Sequence, residues 1–124
     1  HIKRNSDLVY VRKRRANRIA RKQLAQAEKS MKNNDKERFF INVLSALYNY
    51  AGNKMNIPVA ELSKEKVMEL LKNKNVSEET IYELVKLLDE CEFARYAPGL
   101  QSGNLHEVYC RATNIIFKIE DVIN

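Results

Sequence analysis

Cys91, His106 and Cys110 are the residues of this 124-residue chain whose types and spacing come closest to chemistry. His106 and Cys110 lie four apart, so a helix would set both on one face. Cys91 precedes Pro98 and Gly99 by about as many residues as Cys110 follows them, so a helical hairpin would hold the two sulfurs at similar height. With Glu92 or Glu107 alongside, three soft ligands could hold zinc, but the spacing is that of no known zinc module. Cysteine is often buried without any partner, which favours two reduced, largely buried thiols with neither disulfide nor metal. His106 is then expected as a partly exposed residue in the first turn of a helix. Nothing else suggests catalysis. Serines and threonines fall at helix caps or on exposed faces, no glycine-rich phosphate loop is present, and the internal histidine has no obvious nucleophile. The expectation is a protein that is not an enzyme, with no cofactor and no small-molecule substrate.

Charge is the stronger signal. Residues 1–32 hold eleven Lys/Arg against Asp7 and Glu28, whereas residues 33–124 hold the other eleven against fourteen acids. The first part therefore carries +9 and the rest −3, within a net +6. A basic arm on a mildly acidic body predicts an anionic surface at that end, either nucleic acid or phospholipid headgroups, against the plain alternative of a solvated helix face. Arg12, Lys13, Arg14 and Arg15 form its densest part. A DNA reader would add a recognition helix, yet the exposed residues after the arm are largely Glu and Lys, and phosphates repel an acidic helix. Lys and Arg also concentrate on the cytoplasmic side of a membrane span, within about 15–20 residues of it. An anionic membrane surface is thus the favoured partner of these four residues, with nucleic-acid binding by the basic helix as the alternative and no specific sequence read.

The elements that would position these residues are helical. Three Gly, two Pro, no Trp and 44% hydrophobic residues suit one compact all-α domain with a real core. No apolar run is long enough to span a bilayer and no signal peptide opens the chain. Two cysteines without a disulfide framework point to a reducing compartment. His1 in place of Met suits a fragment or the end of a tag. Periodicity and caps predict five helices, near 7–32, 35–55, 63–73, 78–96 and 103–123.

Ala16, Ile19, Ala20, Leu24, Ala27 and Met31 give the first helix a narrow stripe, although Leu8 to Val11 fit none. That makes it the least well packed helix, with its first turns projecting. Asn34 with Glu37 reads as a capping box opening the second helix, whose Phe39, Phe40, Val43, Leu44, Leu47, Tyr48, Tyr50 and Ala51 should form the core. Ile57 to Val59 reads as an extended connector, because a residue before proline avoids the helical region. Ser63 and Ser77 each cap a helix, with a hydrophobic staple from Leu62 to Val67 and from Val76 to Ile81. Val67, Leu70 and Leu71 should be buried on the third helix, and Ile81, Leu84, Val85, Leu88 and Cys91 on the fourth. Ser102 should open the fifth, which continues through Leu105, Val108, Tyr109, Ala112, Ile115, Ile116, Ile119 and Ile123. Short loops favour antiparallel neighbours, so the expected architecture is a five-helix up-and-down bundle. Residues 1–32 would be its basic juxtamembrane helix and 33–124 its body.

The string VKLLDECEFARYAPG, residues 85–99, resembles the C-terminal cytoplasmic part of the BatD (Bacteroides aerotolerance) family. RRANRIARKQLAQAEKSM (14–31), FFINVLSALYNYAGNKMNIP (39–58) and YCRATNIIFKIE (109–120) resemble that region in the same order, so the likeness covers most of the chain. ECEFARYAP is its most specific part, since no generic helix pattern requires it. The resemblance implies a larger protein, with a periplasmic β-sandwich part and one inner-membrane span preceding this cytoplasmic helical domain. It implies a role in oxygen tolerance and stress response beside MoxR-type AAA+ ATPases and von Willebrand factor A-domain membrane proteins, without transferable catalytic residues. Phe93, Arg95 and Tyr96 within that stretch either lock the fourth helix onto its neighbours or form a partner-facing patch, since interface centres favour Phe, Tyr and Arg.

Overall fold

The helix signals are strong enough to fix nearly every boundary. The computed structural model describes residues 4–96 and 104–123, with side chains described over 18–95 and 104–123. Among them are five α-helices and no strand: α1 (Arg4–Lys32), α2 (Lys36–Met55), α3 (Lys64–Asn73), α4 (Glu78–Tyr96) and α5 (Leu105–Ile123), with one 3-10 turn at Val59–Glu61. The chain is an all-α bundle. Pro98, Gly99 and Ser102, and the side chains of Arg12, Lys13, Arg14, Arg15, Ala16 and Tyr96, lie outside the described residues.

Two caps differ from expectation. Asn34 does not cap α2; it adopts φ 59° and ends α1, where its left-handed backbone is tolerable for an asparagine. Asp35 does the capping, its carboxylate accepting from Arg38 N. Asn56 repeats the device at the end of α2, with φ 59° and ψ 46°, so α2 runs three residues past Gly52 before it stops. Asn104 opens α5, its side-chain oxygen accepting from His106 N at 2.9 Å and Glu107 N at 3.4 Å. Ser63 and Ser77 cap as the sequence indicates, accepting from Lys66 N and Thr80 N.

The core is one cluster drawn from all five helices, centred on Phe39, Phe40, Val43, Leu47 and Tyr50 of α2, with Phe39 and Phe40 edge to face at 5.2 Å. Leu70 and Val85 are only half-buried, and Leu87 takes an interior place instead. Over residues 18–32 the first helix is not the least well packed: Ala20 and Ala27 are fully buried, Leu24 nearly so, and α1 with α2 is the most extensive helix pair in the bundle. Alanines let two helix axes approach closely, which is why a narrow stripe suffices.

Partner residues fix the helix directions. Across α4 and α5, Glu83 pairs with Lys118 and Glu90 with Arg111, so the two run antiparallel. Ala20 and Leu24 of α1 lie beside Phe117 and Glu120 of α5, whereas the charge of Glu28 acts on Tyr109, which is again antiparallel. Tyr48 of α2 lies near Glu92 of α4, while Ala51 and Met55 lie near Leu84. The four long helices therefore alternate in direction around a ring, α1, α2, α4, α5, with α2 and α5 in contact across it. Residues 56–63 double back along α2, so α3 starts beside Tyr48 and keeps the direction of α2 while packing on α4. Gly52 permits this return: a Cβ there would stand 2.8 Å from the Ile57 carbonyl oxygen and 3.1 Å from Val59 Cγ2. The register of α1 against α5, which stops at Ile123, leaves the first turns of α1 running past the body.

Candidate functional site

Phe93 and Arg95 stand in the last turn of α4, two residues apart and so on different flanks of the helix. Phe93 is 56% exposed, a large value for a phenylalanine, and Arg95 is exposed. Ala94 between them is fully buried and anchors the turn. The backbone of Tyr96 closes α4 here. The two described members of the expected patch are thus both exposed.

Arg95 lines an open groove of ≈ 570 Å³ between α2, the returning segment and the end of α4. Its walls include apolar Ile41, Leu44, Val59 and Leu62, with Ser45, Asn49, Lys64 and Glu92 among the polar groups around them. Lys64, in the first turn of α3, is held over the groove by two carboxylates of α4: it pairs with Asp89 and donates to Glu92 Oε1 at 2.8 Å. Those hydrogen bonds raise the affinity of Lys64 for its proton. Tyr48 forms part of the same wall, and burial, then the charge of Glu92, holds its phenol above the ordinary tyrosine range. An apolar trough beside a fixed charge network can seat a side chain of a partner and orient its polar flank; it contains no nucleophile with a base beside it.

A second groove, between α4 and α5, is crossed by the ion pairs that set the register. Arg111 reaches Glu90 with two parallel bonds of 2.9 Å, and Lys118 donates to Glu83 at 3.0 Å. The Arg111 bonds draw the Glu90 carboxyl below the usual carboxylate range and raise the Arg111 guanidinium in turn.

The cysteines separate. Cys91 is fully buried, and burial pushes its thiol up to about 12, so it is inert at neutral pH. Cys110 is exposed, contrary to the expectation that both thiols are buried. Helix spacing explains the difference: Val108, Ala112 and Ile115 take the inner face of α5, and Cys110 lies off it. Both sulfurs are free thiols, and Cys110 Sγ lies 3.5 Å from Nε2 of exposed His106. Among the described residues no group of three His, Cys, Asp or Glu side chains is placed to hold a metal ion, so Cys91, His106 and Cys110 do not converge.

Sequence reading missed a buried charge. Lys54, in the last turn of α2, has a side chain only 1% exposed, and its ammonium forms an ion pair with Oε2 of Glu120 on α5. The same oxygen accepts from the buried Tyr50 hydroxyl. Desolvation, then that hydrogen bond, raises the Tyr50 phenol far above its ordinary value. The signal was present, because Lys54 falls on the next position of the stripe Leu47, Tyr50, Ala51. Among the described residues no helix is long and apolar enough to cross a membrane. No protein-family model, curated protein or solved structure matches this chain.

Proposed function

We propose that this chain is a non-enzymatic interaction domain: its basic first helix lies against an anionic membrane surface, and the end of α4 receives a protein partner. The observation that carries the reading is the placement of the start of α1 and the end of α4 at opposite ends of the bundle. The first turns of α1 run past the end where α2 and α5 finish, while Phe93 and Arg95 stand at the end where α4 finishes and α5 begins. A helix rises about 1.5 Å per residue, so α4 separates the two ends by roughly 28 Å. An arm held at a bilayer thus leaves the α4 end facing away from it, open to a second protein.

The resemblance to the BatD family supplies the identities in this proposal: a domain on the cytoplasmic side of an inner-membrane aerotolerance protein, with von Willebrand factor A-domain membrane proteins and a MoxR-type AAA+ ATPase as the partners. The test uses the membrane-anchored protein and those two partners, each purified. Phe93→Ala and Arg95→Ala should leave the melting temperature nearly unchanged and weaken capture about fivefold or more, the loss of an interface anchor of at least 1 kcal/mol. Unaltered capture combined with about 1 kcal/mol of lost stability would make Arg95 a cap of helix carbonyls and end the contact reading.

A further inference from the structure

The solvent side of α5 carries His106, Cys110, Thr113 and Phe117 at helical spacing, all exposed and none a carboxylate, lysine or arginine. Phe117 is 71% exposed, the highest value among the described large apolar side chains. At the other end of the stripe, Cys110 Sγ and His106 Nε2 are 3.5 Å apart. Zinc bonds of about 2.3 Å to sulfur and 2.05 Å to nitrogen, opened to the tetrahedral angle, set two ligand atoms about 3.6 Å apart. The pair already has the bite of two ligands on one tetrahedral ion.

We propose that His106 and Cys110 are half of a tetrahedral site for a soft divalent cation of the zinc class, and that a second copy of this chain supplies the other half. The argument for a second copy is the ligand count. A closed structural site takes four protein ligands, and the described residues of one chain bring two together. A two-fold axis beside α5 duplicates the pair into Cys₂His₂, and an isologous contact of that kind lays the Phe117 of each copy on the same stripe. Each Cys110 thiol gives up its proton and donates a sulfur electron pair to the ion. Each His106 donates the Nε2 pair while its own proton stays on Nδ1. Two protons leave to solvent per ion bound, and the two thiolates neutralise the dication. Cys91 takes no part, because its sulfur is buried.

The test is a titration of the metal-free, reduced chain with cobalt(II), then zinc(II), followed by absorption and by sedimentation velocity. The expected result is a tetrahedral cobalt spectrum with thiolate charge transfer, saturating at one ion per two chains, displaced by zinc, and accompanied by conversion of monomer to dimer. Cys110→Ser and His106→Ala should each abolish both signals with an unchanged far-ultraviolet circular dichroism spectrum, since both side chains are exposed. Phe117→Ser should keep the spectrum but raise the chain concentration needed for dimerisation by about tenfold. A spectrum that survives Cys110→Ser, an ion held by a single chain, a metal-independent dimer, or the absence of any tetrahedral spectrum would overturn the proposal.

Discussion

Removing Glu120 should do more damage than its surface position on α5 suggests. Lys54 reaches it from inside the bundle with a side chain 1% exposed, whereas Glu120 keeps 19% of its own in contact with water. Among the described residues the ammonium has no other acceptor, and its contact with Glu120 is an ion pair rather than an aligned hydrogen bond. Glu120→Ala therefore strands a buried cation, a change that costs about 3–5 kcal/mol in other proteins; the partial hydration of Glu120 points to the lower end. Lys54→Met leaves a carboxylate that can turn toward water and still accept from Tyr50, so its cost should be smaller, about 1–2 kcal/mol. Replacing both, as Lys54→Met with Glu120→Ala, leaves no buried charge and only the Tyr50 hydroxyl without its acceptor, so it should cost about 1–2 kcal/mol.

The four proteins form a double-mutant cycle with a coupling of about 3 kcal/mol. Urea unfolding at neutral pH measures it directly. Thermal melts give a parallel reading, because each 1 kcal/mol moves the midpoint by about 4 °C in a domain of this size. Glu120→Ala should thus melt about 12 °C lower, while the double variant should lose only about 4–8 °C. Additive losses, with a coupling under about 0.5 kcal/mol, would refute the reasoning and mean that Lys54 finds water in solution.

Alkaline pH should weaken the fold. The thiol of Cys91 is raised from 9.0 to about 12 and the phenol of Tyr50 is raised above 10.0, so the unfolded chain loses those protons first. Their contribution is complete below pH 9 and is lost progressively above it, which chemical unfolding across pH 8–11 checks, with Tyr50→Phe flattening the upper part of the curve. In the native protein, Ellman's reagent should titrate one thiol, that of Cys110, and reach Cys91 only on unfolding. Gly52→Ala should destabilise by about 1–3 kcal/mol despite alanine's helix propensity, because its methyl meets the Ile57 carbonyl oxygen; a more stable variant would show that residues 56–63 can shift. Vesicle sedimentation should show anionic lipid retaining the chain, and loss of retention when Arg12, Lys13, Arg14 and Arg15 are all changed to Gln, each charge being worth about 1 kcal/mol; equal binding to neutral vesicles would remove the membrane reading.

What was legible in the sequence follows from what short-range physics controls. Helix ends were readable because serine caps and staples are local: Ser63 and Ser77 act within four residues of themselves. The height of Cys91 against Cys110 was readable too, since a hairpin preserves distance from its turn, and the pairs Glu90 with Arg111 and Glu83 with Lys118 lie in that same register. Facing was not. Whether Cys110 points in or out depends on a rotation of α5 that the isoleucines decide together, and one residue off the stripe is enough to expose a sulfur. Three adjacent polar residues, Asn33, Asn34 and Asp35, offered several caps, and only the left-handed backbone at Asn34 selects Asp35. Lys54 defeated the reading for a different reason: hydrophobic patterning assigns charge to solvent, and the carboxylate that makes its burial tolerable stands 66 residues away in sequence.

The antiparallel ring also constrains how the two proposals can coexist. The basic arm belongs to α1, which runs opposite to α5, so the direction in which arms leave a dimer depends on how the two copies of α5 lie. A two-fold axis along the helices sets the α5 stripes side by side in the same sense. Both arms then leave at the same end, and both Phe93–Arg95 ends face the other way. A two-fold axis across the helices would send the arms to opposite sides, where one bilayer could engage only one of them. Only the first arrangement also lets Phe117 meet Phe117 while His106 and Cys110 meet their equivalents, because those groups lie at opposite ends of one stripe. If both proposals hold, zinc should therefore strengthen vesicle binding, since two arms reach one surface and the second attaches at high effective concentration. Zinc-induced dimers with no gain in retention on anionic vesicles would place the axis across α5 and separate metal binding from membrane attachment.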